Sequence, residues 1–172
     1  FEDHEGGAGF CPRQEAGIGV VGVHQGFGEG REGKKGRKRG LKAVVAECPE
    51  EEVLGVNARD QLAVAEAIWQ RRNRARIMTE GATLIAPETV WLSFDTVIGR
   101  DVTIEPNVFF GPGVVVEDGA EIKANCHFEG ARIGKGARIG PFARLRPGAR
   151  LGEDVHIGNF VEVKNSTLAR GA

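Results

Sequence analysis

The stretch ARIGKGARIGPFARLRPGARL, residues 131–151, sets an aliphatic residue every six places, at Ile133, Ile139, Leu145 and Leu151. The same beat runs on in both directions. Upstream the heads of the repeat are Leu92, Ile98, Ile104, Phe110, Val116, Ile122 and Phe128, with one five-residue step before Ile133. Downstream they are Ile157 and Val163, and a second short step reaches Leu168. Four places after most heads stands a small or β-branched residue: Val102, Val108, Val114, Ala120, Cys126, Ala137, Ala143, Ala149, Val155 and Val161. A fixed period this short marks a β-helix, a solenoid in which each repeat is one strand and one turn. The fold class predicted is therefore mainly β. Three repeats close a coil of about 18 residues, which gives a little over four coils.

Totals narrow the function classes. A net charge of −1 over 172 residues points to no nucleic-acid partner, and the scarcity of aromatics beside 26 glycines suits tight turns around a narrow interior. Cys11, Cys48 and Cys126 form no CxxC and stand at no zinc spacing, which argues against a disulfide framework and for a reducing, cytoplasmic setting. No apolar run is long enough for a membrane span, and no signal peptide is visible. With Phe1 first, Met78 the sole methionine and Ala172 falling in mid-repeat, the chain is expected to be a fragment.

Ahead of the repeat the chain falls into three parts. Residues 1–39 show no period of 2 or 3.6 and are expected to be disordered or out of frame. Within them Gly17-Ile-Gly-Val-Val-Gly22 spells GxGxxG, but it follows no buried strand and opens no helix pattern, so a dinucleotide loop is not supported. The cluster Arg31, Lys34, Lys35, Arg37, Lys38 and Arg39 reads more simply as a solvated tail than as a nucleic-acid site. In residues 40–57, Leu41–Cys48 reads as a buried strand and Pro49–Glu52 as a loop. A helix over about Ala58–Met78 puts Leu62, Ala65, Trp69, Arg72 and Ala75 on one side, with Gly81 as its C-cap. Its charge suits an exposed connector, residues 58–81, leading into the solenoid at 82–172.

The period also says which side chains are neighbours. Strands in successive coils lie about 4.8 Å apart, so residues one coil apart stack. Arg146 and Lys164 each follow a head and are separated by one coil, in a place where most repeats carry Gly or Glu. Stacked like charges are mildly destabilising unless neutralised. A phosphate would neutralise them; the alternative is a pair of solvated surface cations. Arg144 and Glu162, also one coil apart, read as a cross-strand ion pair. His127 and His156 fall on different faces, which leaves too few imidazoles for a β-helical zinc site. Asn57 reads either as the helix N-cap or as an oxygen ligand to Mg²⁺ needing a carboxylate from elsewhere.

These residues carry a resemblance. Cys48–Asn57, the helix, Thr83–Thr89, Ile104–Val108, Gly140–Gly148 and Ile157–Asn165 are similar to the bifunctional bacterial enzyme of UDP-N-acetylglucosamine synthesis. That family joins a uridylyltransferase (pyrophosphorylase) domain to a glucosamine-1-phosphate N-acetyltransferase β-helix through a helical arm. The resemblance implies a left-handed solenoid, preceded by the connector helix and the tail of an α/β nucleotidyltransferase domain. It implies Asn57 as a Mg²⁺ and UDP-sugar contact, and Arg146 with Lys164 as the holders of the sugar phosphate. UTP and acetyl-CoA are the implied co-substrates and a homotrimer the implied assembly. Three features depart from the family: its Gly-rich nucleotide loop and Mg²⁺-binding Asp are not found in this sequence, residues 1–39 do not match it, and its general-base His is expected beyond Ala172, leaving this chain inactive alone. A non-catalytic trimerisation module and a different sugar-nucleotide pyrophosphorylase are the competing readings.

Overall fold

The computed structural model describes residues 49–172, together with two short strands, Val20–Val21 and Val44–Val45, that pair in parallel. Apart from Val20 and Val21, the GxGxxG stretch lies outside the described residues, as do the basic cluster, Cys11 and Cys48. The chain divides into two compact units, residues 1–68 and 69–172.

A 21-residue helix, Arg59–Thr79, spans that division. It begins one residue later than the sequence suggests, because Ala58 supplies the first intrahelical acceptor, to Leu62 N–H at 3.0 Å. Gln61 does the capping: its Oε1 accepts from the N–H groups of Asn57 (2.7 Å) and Ala58 (3.1 Å), one half of a capping box. The helix ends as expected at Gly81, whose φ of +115° admits the closing turn. Ala82 N–H reaches Ile77 O at 3.0 Å and Gly81 N–H reaches Met78 O at 3.1 Å, the paired bonds of a Schellman motif.

The side of the helix that packs is not the one expected. Leu62 is 57% exposed and Trp69 36%, whereas Gln70 and Ile77 are buried. Gln70 is drawn in by two hydrogen bonds to one backbone unit, donating from Nε2 to Leu92 O (2.7 Å) and accepting at Oε1 from Leu92 N–H (3.1 Å). Its amide supplies what a neighbouring strand would have given the sheet edge, where unpaired backbone groups are costly. Arg74 adds a bond from Nη1 to Val90 O at 3.1 Å.

From Thr83 onward the chain is a β-solenoid of fifteen two-residue strands in three parallel sheets of five. In chain order the first sheet stacks the heads Leu84, Ile104, Ile122, Ile139 and Ile157. The second stacks Leu92, Phe110, Phe128, Leu145 and Val163, and the third Ile98, Val116, Ile133, Leu151 and Leu168. Every head the period picks out ends a strand and faces the core. One head escaped it: Leu84, since the step from Leu84 to Leu92 is eight residues and holds the 3₁₀ turn Pro87–Thr89. With Leu84 there are five coils, not a little over four.

Of the residues four places after the heads, Val102 through Val155 are buried and only Val161 is exposed, at 38%. The first coil carries Thr96 in that place, and its Oγ1 is a buried side-chain oxygen without a hydrogen-bond partner. An unpartnered buried hydroxyl costs about 1–3 kcal/mol. Thr96→Val, nearly the same shape, is expected to raise the urea midpoint by the equivalent of about 1 kcal/mol. A lowered midpoint would mean that the hydroxyl has a partner.

Candidate functional site

The second sheet positions the two cations singled out by spacing. Leu145 and Val163 are buried partners on adjacent strands, and their inward direction turns Arg144 and Glu162 outward, directly opposite each other. One place further, Arg146 N–H donates to Val163 O at 2.9 Å, so Arg146 and Lys164 leave the sheet at the same corner, one coil apart. That corner is held by Gly148 at φ +84° and Asn165 at φ +44°; a Cβ on Gly148 would come within 3.0 Å of Asn165 Cα. Asn165 N–H donates to Pro147 O (3.2 Å) and Ser166 Oγ donates to Lys164 O (2.8 Å), fixing the backbone under the lysine.

Glu162 meets two arginines. Its Oε2 stands 3.6 Å from Arg144 Nη1, the ion pair read from the sequence. Its Oε1 also accepts from Arg146 Nη1 at 3.1 Å. This contact is diagonal, between residues 16 apart, and a register of whole 18-residue coils does not reveal it. Arg146 is thus partly neutralised by an internal carboxylate, while Lys164 makes no ion pair among the described residues. The corner offers one shared and one free cation, with side chains about half exposed at Glu162 and a third exposed at Arg146. Such an arrangement can bind a phosphate by exchanging a weak surface ion pair for bidentate contacts.

The histidines sit as expected on different sheets, His127 on the second and His156 on the first. His127 is not isolated. It stacks on Phe109 at 4.6 Å between ring centroids, and Phe109 stacks on Trp91 at 6.4 Å, a ladder of rings 18 residues apart. Its Nε2 also lies 3.4 Å from Glu129 Oε1. A second exposed stack joins Phe142 and Phe160 at 5.0 Å, both at positive φ (+56° and +58°), in turn positions where earlier coils carry Asn107 and Asn125. Aromatic residues at positive φ are uncommon, and no sequence signal announced them.

Asn57 is exposed, with its N–H held by Gln61, and the helix begins too late for it to be the cap. Among the described residues no group of three His, Cys, Asp or Glu could hold a metal ion, and Asn57 by itself offers one amide oxygen, too little for a Mg²⁺ site. Cys126 is buried, and burial pushes its thiol up, away from the reactive thiolate. Lys123 is held protonated chiefly by its hydrogen bond to Glu105, then by Glu121, and braces two coils.

The family model for the bacterial transferase hexapeptide (six repeats) matches residues 95–130 and 130–165, which cover the Arg146–Lys164 corner. The bifunctional protein GlmU of Xanthobacter autotrophicus is 61% identical over 97 residues, 56% of this chain and 22% of its own length. The chain is homologous in part to GlmU. GlmU of Gluconobacter oxydans extends the match, with 58% identity over 129 residues, 75% of this chain and 29% of that protein. The chain therefore spans about a quarter of the length of the GlmU proteins it matches. Among solved structures, a perosamine N-acetyltransferase from Caulobacter crescentus superposes with a TM-score of 0.34 at 20% identity, over 79% of this chain and 65% of that one, too loosely to carry further argument. No helix among the described residues is long and apolar enough to cross a membrane.

Proposed function

We propose that the solenoid is the sugar-phosphate-binding part of a glucosamine-1-phosphate N-acetyltransferase, in a protein that also transfers a uridylyl group from UTP. The observation that carries this reading is the Arg146–Lys164 corner, inside repeats matched by the transferase hexapeptide model and within a chain homologous in part to GlmU. In the reaction the amine of the sugar attacks the thioester of acetyl-CoA, and a general base removes a proton from it. Arg146 and Lys164 would fix the phosphate and so set the distance from the amine to the thioester carbon. On this reading Arg146 and Lys164 bind and orient the sugar phosphate, so the property to measure here is binding. Asn57 as a UDP-sugar and Mg²⁺ contact, the left-handed coil, the nucleotidyltransferase tail and a cytoplasmic homotrimer belong to the same proposal.

Calorimetric titration with glucosamine 1-phosphate and with glucosamine tests it. Binding of the first and not of the second is expected; equal affinity for both would overturn the role of the corner. Glu162 enters as an internal competitor. Glu162→Gln is expected to tighten inorganic phosphate about two- to five-fold, the size of a surface ion pair. Weaker phosphate binding in that variant would show that Glu162 holds the corner in shape instead.

A second reading is favoured by the exposed rings Trp91, Phe109, Phe142 and Phe160, of which Phe160 is 75% exposed. Exposed aromatic surface of this kind suits subunit assembly, so the coils would serve as an assembly module. Sedimentation of the chain as a monomer would count against it.

A further inference from the structure

We infer that Arg132 and Arg150, on the outer face of the third sheet, form a second site for a phosphoryl anion, separate from the Arg146–Lys164 corner. Four consecutive repeats put arginine just before the head: Arg132, Arg138, Arg144 and Arg150. They pass once around the solenoid, so each sheet shows how it compensates its own. In the first sheet Arg138 stands directly opposite Glu121, with Nε 3.7 Å from Oε1. In the second, Arg144 stands directly opposite Glu162. In the third, Arg132 stands directly opposite Arg150, with Val115 on its other side and Thr167 beyond Arg150.

Like charges facing each other across neighbouring strands are unfavourable. The carboxylate that does reach this pair, Glu117, touches only Arg132, from a corner, at 3.3 Å and with the arginine side chain 61% exposed. Arg150 makes no ion pair among the described residues. Two guanidinium groups on strands about 4.8 Å apart can both donate to one tetrahedral anion, and their planar forks suit phosphate oxygens. The site borders the corner: Arg150 follows Arg146 by four residues, so the two cation pairs lie no more than about 14 Å apart along the chain. Among the described residues Arg132, Arg146, Arg150 and Lys164 together face only Glu117 and Glu162 as counterions. A ligand with two phosphoryl groups could span both pairs, and two separate phosphates could fill them. The inference rests on the register of the third sheet and stands whether or not the corner takes a sugar phosphate.

The test titrates the 172-residue chain with inorganic phosphate and with pyrophosphate at low ionic strength, by calorimetry and by the ligand-induced rise in urea midpoint. Arg146→Gln/Lys164→Gln is expected to keep one phosphate per chain, and adding Arg132→Gln/Arg150→Gln to remove it. The Arg132→Gln/Arg150→Gln variant alone should weaken phosphate at the remaining pair less than two-fold. Its midpoint in phosphate-free buffer should not fall, since a repulsion is removed, which guards against misfolding as the cause of lost binding. Pyrophosphate binding with a stoichiometry of one, against two for phosphate, would identify a single bridging ligand; two of each would identify independent sites. Loss of all phosphate binding in Arg146→Gln/Lys164→Gln would overturn the second site while leaving the corner intact. Phosphate binding unchanged by Arg132→Gln/Arg150→Gln in the background of that variant would overturn it as well.

Discussion

Arg146→Gln is expected to weaken glucosamine 1-phosphate binding about 10- to 100-fold without lowering the urea midpoint by more than about 1 kcal/mol. A hydrogen bond to a charged group contributes about 1.5–3 kcal/mol when its partner is otherwise unpaired. Arg146 sits at the upper part of that range for shape, because guanidinium can meet two phosphate oxygens at once, and at the lower part for exposure, with a third of its side chain in solvent. Removing Arg146 also frees Glu162, whose nearest cation is then Arg144 at 3.6 Å. A carboxylate left facing the phosphate would add repulsion to the lost contact. Arg170→Gln is the control: Arg170 pairs with Glu153 and Asp154 on another corner, and its loss should leave binding within about two-fold. Calorimetry on the two variants checks the contrast, and equal losses would mean that net charge, not the corner, attracts the ligand.

Phe128→Ala is expected to cost about 3–5 kcal/mol, the range for truncating a fully buried aromatic. Phe128 is wholly buried in the middle coil and meets Phe110 of the coil before at 5.4 Å with the rings tilted 58°. Its column continues through Leu145 to Val163, so the cavity would fall where the coils on either side are coupled. In a solenoid each coil is stabilised only by its neighbours, which makes an internal interface worth more than a terminal one. A loss of that size is a large part of the 5–15 kcal/mol that typically holds a domain folded. Urea unfolding with an unchanged slope would register the loss as a lower midpoint. Phe160→Ala, at the exposed end of a ring stack, should cost far less. A loss below about 1 kcal/mol at Phe128 would mean that the interior collapses around the gap.

How much of this was legible in advance divides along physical lines. Burial of one side chain per six residues fixes the fold, and burial is written in residue type. The heads from Leu92 to Leu168, the residues four places later and the stacking of Arg144 on Glu162 could therefore be read from spacing. Leu84 could not, because the eight-residue step to Leu92 breaks the beat. Nor could the packed side of the helix. An apolar-face argument favoured Leu62 and Trp69, whereas the contact that matters is Gln70, a polar residue buried because a sheet edge needs a donor and an acceptor.

At the candidate site the same boundary holds. Sequence alone determined that this protein is a β-solenoid and that Arg146 and Lys164 leave it side by side, since backbone stacking depends only on counting residues. Tertiary structure alone decided that Glu162 serves both Arg144 and Arg146, and that Glu117 reaches Arg132 but not Arg150. Those contacts depend on where long side chains reach across a corner, diagonally as well as straight up the stack, and a period carries no information about that.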